Sequence, residues 1–294
     1  MSTVAVKALI TGASGQIGRM LLKDAPGVVD ATGVSHQQLD IADEKSVMNC
    51  LSAVRPQVII NCAAYTAVDR AEDDADNALR VNAVGPRLLA EAARRIDARL
   101  IHLSTDFVFD GAASRPYRTD AATNPLNVYG RTKLGGEQAV LETLPGRSVV
   151  LRTAWVYAAE GANFVRTMLR LMAEKKSVRV VADQVGTPTA ARSIAKALWA
   201  IAAQPQIDGI QHWTDAGTAS WYDFAVAIAE ESAQRGLLPQ DVEVTPIRAA
   251  EFPARATRPG YSVLDSLSLA AQLGFAPVHW RTNLRAVLGE LAHG

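Results

Sequence analysis

The sequence predicts an α/β fold built on a doubly wound parallel sheet, with a smaller C-terminal lobe. In the first half of the 294 residues, short β-branched runs alternate with longer helical patterns. Parallel strands need crossover helices, so this alternation indicates a parallel sheet covered by helices. After residue 212 the chain becomes rich in proline and tryptophan, which we interpret as the smaller lobe.

The predicted elements follow one another along the chain. They are a strand over 4–10, a helix beginning at 16–22, a strand over 28–34, a helix over 44–54, a strand over 57–62, a helix over 77–96 and a strand over 99–104. Helices are also predicted over 163–173 and 192–203, the second because Ile194, Leu198 and Ile201 form an apolar stripe. Ligands of such sheets bind beyond the carboxyl ends of the strands.

Composition excludes several classes of partner. The formal net charge is zero, which argues against nucleic acid or an anionic membrane surface. Cys50 and Cys62 cannot form a disulfide framework, and no apolar run approaches the roughly 20 residues that span a bilayer. The N-terminus lacks the regions of a signal peptide, so we expect a cytoplasmic protein.

A glycine-rich turn joins the first predicted strand to the first helix and reads Thr11-Gly-Ala-Ser-Gly-Gln-Ile-Gly18. Gly12 allows the tight turn, Gly15 lets a pyrophosphate approach the backbone, and Gly18 lets helix and strand pack closely. Within a βαβ pattern, the turn predicts a dinucleotide site. The predicted contacts here are Gly12, Ser14, Gly15, Gln16 and Ile17, with Asp40 and Ile41 beside the adenine.

The segment after the second strand does not choose between NAD and NADP. An acidic residue there would bind the ribose 2′-hydroxyl of NAD, and an arginine would favour NADP. The sequence reads Gly33-Val-Ser-His36, with neither, and Arg19 is a candidate contact to a 2′-phosphate. We expect residues 1–158 to form the dinucleotide-binding domain, with return segments near 189–216. Residues 159–294 would form mainly a substrate-binding lobe.

A tyrosine and a lysine stand four residues apart in Asn127-Val-Tyr-Gly-Arg-Thr-Lys133. On a helix, Tyr129 and Lys133 share one face. The pKa of a free tyrosine is about 10, and a nearby ammonium lowers it. Tyr129 would donate a proton to a carbonyl oxygen while hydride reaches the carbonyl carbon, and Lys133 would bind the nicotinamide ribose.

Two hydroxyl groups end the fourth strand, in Ser104-Thr-Asp106. Thr105, with Ser104 as second choice, is predicted to hydrogen-bond the substrate carbonyl, unless these hydroxyls only cap the next loop. The glycine turn, Thr105 and the Tyr129–Lys133 pair occur in the order expected for a carbonyl reductase. Thr105, Tyr129 and Lys133 are therefore the predicted catalytic residues.

Together these motifs resemble the extended short-chain dehydrogenase/reductase superfamily and, within it, the dTDP-4-dehydrorhamnose reductase family. The resemblance covers almost the whole chain. Its segments are Gly15-Gln-Ile-Gly18, Asn61-Cys-Ala-Ala-Tyr-Thr-Ala-Val-Asp69, Ser104-Thr-Asp-Phe-Val-Phe109, Pro125-Leu-Asn-Val-Tyr-Gly130, Arg152-Thr-Ala-Trp-Val-Tyr157, Asp183-Gln-Val-Gly-Thr-Pro-Thr189, Trp221-Tyr222 and Arg258-Pro259. It implies a Rossmann-like fold and an NAD(P)-dependent oxidoreductase of dTDP-rhamnose biosynthesis.

The implied reaction reduces the 4-keto group of dTDP-6-deoxy-L-lyxo-4-hexulose (dTDP-4-dehydrorhamnose) to dTDP-L-rhamnose, with NADPH or possibly NADH as cofactor. The resemblance implies cofactor contacts at Ala63, Ala64 and Tyr65, together with Tyr129 and Lys133. The implied substrate contacts are Val68, Asp69, Asp106, Phe107, Trp155, Asn163, Gln184 and Arg258. The charge of Arg258 suits a diphosphate.

One departure concerns metal and assembly. The resemblance implies, for some members, dimers with magnesium held by interface glutamates. Met20 and Arg192 stand where two of those acids are expected, which leaves only Glu290. Arginine has no free acceptor for a metal, so we predict no magnesium site and leave monomer and homodimer open. The five histidines have no metal-like spacing, and we assign them no catalytic role.

Three other functions stay open. A reductase of another nucleotide-linked keto-deoxysugar would share nearly every motif. A nucleotide-sugar epimerase or dehydratase would share the fold and the Tyr-Lys pair, but Phe107 stands where a dehydratase has a glutamate beside Asp106. A regulatory subunit such as that of methionine adenosyltransferase also resembles the family, and the intact Thr105, Tyr129 and Lys133 argue against it.

Overall fold

The computed structural model describes residues 6–239 and 242–293. The elements in chain order are β1 (Val6–Thr11), α1 (Gln16–Lys23), β2 (Val29–Val34), α2 (Glu44–Val54), β3 (Val58–Asn61), α3 (Val68–Ala71), α4 (Ala75–Leu79), α5 (Gly85–Arg95), β4 (Arg99–Thr105), α6 (Val128–Thr143), β5 (Ser148–Thr153), β6 (Val156–Tyr157), α7 (Phe164–Glu174), β7 (Ser177–Val181), β8 (Val185–Gly186), β9 (Thr189–Ala190), α8 (Ala191–Ala202), β10 (Gly209–His212), β11 (Ala219–Ser220), α9 (Trp221–Ala233), β12 (Glu243–Ile247), α10 (Leu267–Leu273) and α11 (Trp280–His293). Residues 4–5 of the predicted first strand lie outside the described residues.

The centre of the fold is a six-stranded sheet with the order β10-β5-β4-β3-β1-β2. Every neighbouring pair is parallel, which confirms the predicted doubly wound fold. The chain runs from β1 to β2 on one side and then returns to β3 on the other. The direction of winding therefore reverses between β1 and β3, and ligands of such sheets bind at this point.

Helices cover both faces of the sheet because its strands are apolar on both sides. In β1, Leu9 and Ile10 point to opposite faces, as the two-residue period of a strand requires, and both are fully buried. Ile10 packs in a cluster with residues of α1, α8 and α10, whereas Leu9 packs with residues of α2, α5 and α6. β10 then adds the outer strand beside β5.

The long helix predicted over 77–96 contains an irregularity that periodicity did not indicate. α4 and α5 are joined by a π-helical turn, Arg80–Val84. In this turn, Asn82 accepts from Tyr65 N at 2.8 Å and donates to Tyr65 O at 3.0 Å and to Thr132 Oγ1 at 3.1 Å. Such turns occur often at functional sites, and this one fixes the segment after β3.

The C-terminal part has a core of its own. Residues of α7, α9 and α11 pack with β7 and β12 in a third apolar cluster that includes Phe224 and Trp280. Trp199 packs instead against the central sheet. Trp199 and Trp280 are 7% and 6% exposed, so both are core residues.

Candidate active site

A cleft of about 920 Å³ opens at the carboxyl edge of the central sheet. It is lined by the glycine turn, the segments that follow β3, β4 and β5, the start of α6, and residues of the C-terminal part. All but three of the predicted site residues line it. The exceptions are Asp69, Asn163 and Gln184.

The glycine turn has the shape that a pyrophosphate site needs. Gly12 has φ +65°, and a Cβ there would lie 2.7 Å from Ala63 N. A Cβ on Gly18 would lie 2.5 Å from Gly12 O, so a side chain at either position would push the turn apart. No side chain caps the N-terminus of α1 at Gly15, and its first amides stay open to an anion.

The part of the cleft that lies beyond β2 contains an ion pair that the sequence did not predict. Arg80 Nη1 lies 2.9 Å from Asp40 Oδ2, and both residues line the cleft with His36. Burial is the largest influence on the pKa of Asp40 and raises it, but the hydrogen bonds from Arg80 and Ala42 N and the charge of Arg80 together outweigh burial, and the net shift is downward. Arg19, the sequence-based candidate for a 2′-phosphate contact, pairs instead with Glu160 at 2.7 Å. No motif marks Arg80, which reaches the cleft from the π-helical turn.

Thr105 and Tyr129 meet because α6 packs tightly on the turn that follows β4. Thr105 Oγ1 donates to Asp106 Oδ1 at 3.0 Å and accepts from Phe107 N at 3.2 Å. The Phe107 ring meets Tyr129 edge to face, with centroids 5.7 Å apart. A Cβ on Gly130 would overlap the Phe107 carbonyl. Glycine after the tyrosine therefore permits this approach.

Burial sets the proton states of the catalytic pair. It raises the pKa of Tyr129 to about 12; Thr105 opposes this rise and the Asp106 carboxylate adds to it. The expected lowering of the Tyr129 pKa by Lys133 is therefore wrong: burial and Asp106 raise it. Lys133 Nζ donates instead to Leu103 O at 2.6 Å. Burial lowers the pKa of Lys133 to about 8, although Glu137 and Cys62 favour its charge. At neutral pH, Tyr129 is thus a protonated phenol.

Asp106 brings a buried carboxyl group into the cleft. It is 1% exposed, and burial raises its pKa to about 6, although the nearby Ser262 hydroxyl and the hydrogen bond from Thr105 favour the carboxylate. Oδ2 has no hydrogen-bond partner among the residues that the structure describes. This oxygen is available to accept from a ligand hydroxyl.

Three aromatic residues, Trp155, Phe164 and Trp221, also line the cleft. Trp155 stacks on Trp221 with centroids 3.5 Å apart and planes 4° from parallel, and Phe164 lies 4.7 Å from Trp221. Trp155 has φ +46°, a left-handed conformation that costs energy for a bulky residue. A Cβ on Gly186 would lie 2.5 Å from the Trp155 indole. Trp155 was expected here from the sequence, whereas Phe164 was given no role and Trp221 none beyond the resemblance.

Two of the three predicted residues outside the lining contact it indirectly. Asp69 Oδ2 accepts from Arg258 Nη2 at 2.7 Å. Asn163 caps α7 by accepting from Arg166 N at 3.1 Å, and it donates to Gln16 Oε1 at 2.9 Å. The third, Gln184, is half-buried just before β8.

Two features are absent from residues 6–239 and 242–293. No group of three or more His, Cys, Asp or Glu side chains lies close enough to hold a metal ion. No helix has the length and apolar character needed to cross a membrane. Arg192, which stands where the resemblance implied a metal-binding acid, pairs with Asp24 at 3.1 Å and Glu290 at 2.9 Å.

Known proteins share this architecture. Residues 6–293 match the family model described as the RmlD substrate binding domain. A dTDP-4-dehydrorhamnose reductase from Streptomyces griseus is 45% identical over 94% of this chain and 91% of its own length. A probable dTDP-4,6-dihydroxy-2-methyloxan-3-one 4-ketoreductase from Streptomyces antibioticus is 44% identical over 96% and 95%. The crystal structure of a Bacillus anthracis dTDP-4-dehydrorhamnose reductase in complex with NADP has a TM-score of 0.91, with 34% identity over 97% of this chain and 99% of that one.

Proposed function

Because this chain belongs to the RmlD substrate binding domain family, we propose that it reduces the 4-keto group of dTDP-4-dehydrorhamnose with NADPH, giving dTDP-L-rhamnose. The observation that carries the proposal is the convergence of Thr105, Tyr129 and Lys133 in the cleft that begins at the glycine turn. The cleft supplies a dinucleotide site, a proton donor and an acceptor for sugar hydroxyls. A carbonyl reductase needs these three functions.

NADPH supplies the hydride when it is bound, and this chain provides the binding site and the proton. The glycine turn accepts the pyrophosphate, Ala63, Ala64 and Tyr65 lie along the cofactor, and Lys133 binds the nicotinamide ribose. Near the adenosine, His36 follows β2 in place of the acid that selects NAD, and Arg80 adds a second basic side chain. The NAD-selecting acid is absent, and Arg80, which pairs with Asp40 here, can turn its guanidinium to the 2′-phosphate of NADPH.

Proton transfer falls to Tyr129. Its raised pKa keeps the phenol protonated until a negative charge develops on the carbonyl oxygen beside it. Thr105 positions that oxygen with the same hydroxyl that donates a hydrogen bond to Asp106 Oδ1, so the two acceptors compete for it. Charge on the carbonyl oxygen in the transition state strengthens both hydrogen bonds, which is where they lower the barrier.

The substrate occupies the side of the cleft formed by Val68, Phe107 and Trp155. Asp106 Oδ2 accepts from a sugar hydroxyl, and Arg258 binds the diphosphate. We assign Asp69 to the surroundings of the sugar, and Asn163 and Gln184 to those of the nucleotide end; the direct contacts of all three stay predictions. Residues 1–158 and the return segments near 189–216 would then serve the cofactor, and 159–294 mainly the substrate. A cytoplasmic location and a monomeric or homodimeric state also stay predictions.

The second candidate is reduction of a different dTDP-linked 4-keto-deoxysugar, because the Streptomyces antibioticus relative at 44% identity is named for another such substrate. The epimerase and dehydratase alternatives have less support. The position after Asp106 is filled by the Phe107 ring packed on Tyr129, where a dehydratase would need a second carboxylate.

The test is the oxidation of NADPH and of NADH, followed by absorbance, with dTDP-4-dehydrorhamnose and separately with dTDP-4-keto-6-deoxy-D-glucose. We expect consumption of NADPH with the first sugar and dTDP-L-rhamnose as the product by NMR. Turnover with the second sugar alone would establish the other reductase. Absence of turnover with either sugar, in protein with a cooperative thermal transition, would refute the reduction of both sugars.

A further inference from the structure

A buried chain of polar side chains lies behind Lys133. Thr11 Oγ1 donates to Asn61 Oδ1 at 2.6 Å, Asn61 Nδ2 lies 2.9 Å from His102 Nδ1, and His102 Nε2 lies 3.5 Å from Lys133 Nζ. The four side chains are at most 2% exposed. Only Lys133 lines the cleft, so the other three act on a ligand only through it.

The orientation of the Asn61 amide is fixed by its partners. Ala63 N lies 3.1 Å from the Asn61 atom that also accepts from Thr11. A backbone N–H can only donate, so that atom must be the oxygen, and the NH₂ group faces His102. An NH₂ group is likewise only a donor. His102 Nδ1 therefore accepts, and the neutral ring carries its proton on Nε2.

The ring also stays neutral. Burial, together with the charge of Lys133, lowers the pKa of His102 well below the usual value for histidine. A second proton would have to sit on Nδ1, against the Asn61 NH₂ group. His102 therefore presents an N–H, and never a lone pair, to Lys133.

This arrangement restricts the ammonium of Lys133. An ammonium has three N–H donors and no acceptor, and one of them goes to Leu103 O at 2.6 Å. His102 Nε2–H cannot accept a second. We propose that His102 is a positioning residue for Lys133. It turns the remaining lysine donors toward the cleft, and it eases the release of a lysine proton.

The proposal concerns the same site as the reductase activity and rests on the assignment of Lys133 to it. The other titratable groups that face Lys133 are Glu137 on its own helix and Cys62 after β3. Both favour the charged lysine. His102 disfavours the charged lysine. Removing His102 should therefore raise the pKa of Lys133, whereas removing Glu137 or Cys62 should lower it.

The tautomer can be observed directly by NMR of the full chain labelled with ¹⁵N in its histidine rings. The signal of His102 is identified by its loss in His102→Phe, or in His102→Gln if the phenylalanine variant does not fold. We expect a protonated Nε2 and an unprotonated Nδ1 throughout pH 6–8. A proton on Nδ1, or a ring that titrates with an ordinary pKa, would overturn the proposal.

Asn61→Asp provides the kinetic test. A carboxylate keeps the hydrogen bonds from Thr11 and Ala63 N but accepts from His102 Nδ1–H, so Nε2 offers a lone pair to Lys133. We expect KM for NADPH to rise severalfold and the high-pH limb of kcat/KM to move up by about one pH unit. Merely structural damage would lower the rate without moving that limb.

The control is the same Asn61→Asp substitution in the His102→Phe chain. There the new charge is present but no ring transmits it as a change of tautomer, so the shift should be small. An equal shift in both backgrounds would show that charge alone acts on Lys133. A chain without reductase activity would refute the proposed function, and the NMR experiment would still decide the tautomer.

Discussion

At the scale of single residues, the site depends on side chains whose proton states are set by burial. Tyr129 keeps its proton because burial raises its pKa to about 12. Lys133 stands close to losing its proton because burial lowers its pKa to about 8. The two pKa values are therefore shifted in opposite directions, so that Tyr129 keeps its proton and Lys133 can exchange one.

The first prediction concerns Tyr129→Phe. We expect turnover to fall by roughly two to four orders of magnitude, since the phenol supplies the proton. NADPH affinity should stay nearly unchanged, because the glycine turn and Lys133 are intact. Steady-state NADPH oxidation and a fluorescence titration of NADPH measure the two quantities. Turnover like that of the wild type would remove Tyr129 as the donor.

Asp106 gives a second prediction, on the pH dependence of stability. Its folded-state pKa of about 6 lies above the ordinary aspartate value of 3.8. The protonated carboxyl is therefore favoured by folding, and this contribution is lost as the pH rises from about 4 to above 6. Asp106→Asn has no such group. The free energy of unfolding of the variant should thus improve relative to the wild type by up to ~3 kcal/mol over that range.

Urea denaturation of Asp106→Asn and wild type at pH 4, 5, 6 and 7 measures this difference. The asparagine amide can still accept the Thr105 hydrogen bond. Any pH-independent difference in the free energy of unfolding is therefore measured separately from the part that varies with pH. A difference that does not vary with pH would mean that Asp106 ionises normally in the folded protein.

At this scale the sequence had limits. It predicted Tyr129 and Lys133 on one helix face, because a spacing of four is enough for that. It predicted the wrong direction for the Tyr129 pKa, because burial and the Asp106 carboxylate raise that pKa, and both depend on how α6 packs on the turn after β4. Arg80 was missed for a similar reason, since only the fold brings it to Asp40.

At the scale of elements, α6 carries the chemistry and its glycines fix its position. Gly130 packs against the Phe107 carbonyl, and Gly136 packs in the same way against the Asn82 carbonyl. A Cβ on Gly135, which lies between them in sequence, would meet only the Ala83 methyl, at 3.4 Å. The position of α6 thus depends on the absence of a side chain at Gly130 and Gly136, whereas a methyl group at Gly135 can be accommodated.

The third prediction uses this contrast. Gly130→Ala should move α6 away from the turn after β4, and a displacement of the donor by about 1 Å would lower kcat roughly 100-fold. Gly135→Ala places the same methyl group on the same helix without an overlap. It should raise stability by about 0.5–1 kcal/mol, since alanine is the better helix former, and leave kcat unchanged. Similar kcat values in the two variants would contradict this account of how α6 is seated.

Strands β1 to β4 and helices α1, α2, α7 and α8 were predictable because their burial follows the local periods of 2 and 3.6 residues; β5 and β10 of the same sheet were not predicted as strands. The π-helical turn was not predictable, because it is stabilised by Asn82 bonding to Tyr65 and Thr132, which are distant in sequence. The same holds for β6, β8, β9 and β11, which have only two residues each. Strands that short have no periodicity to detect.

At the scale of the whole molecule, the C-terminal segment at 252–262 is held beside the cleft by contacts with α3 of the first half of the chain. Asp69, in α3, makes several of them. Its Oδ1 accepts from Arg255 N at 3.1 Å and Ala256 N at 3.0 Å, and its carboxylate also pairs with the Arg258 guanidinium. One side chain therefore holds both the backbone of this segment and the cation proposed to bind the diphosphate.

The fourth prediction separates these two functions of Asp69. In Asp69→Asn, the amide oxygen can still accept from the two backbone N–H groups, but the charge opposite Arg258 is gone. In Asp69→Ala, both are lost. Hydrogen exchange of 252–262 should therefore accelerate strongly in Asp69→Ala and little in Asp69→Asn.

The KM for the dTDP-sugar should change in opposite directions in the two variants. Removing the negative charge beside Arg258 frees the guanidinium for a diphosphate, so Asp69→Asn should lower KM for the dTDP-sugar severalfold. Asp69→Ala also frees Arg258, but it releases the segment that positions it, so its KM should rise. Equal KM values in the two variants would show that the backbone contacts of Asp69 do not position Arg258. A raised KM in Asp69→Asn would instead mean that the ion pair, rather than free Arg258, is the form that receives the substrate.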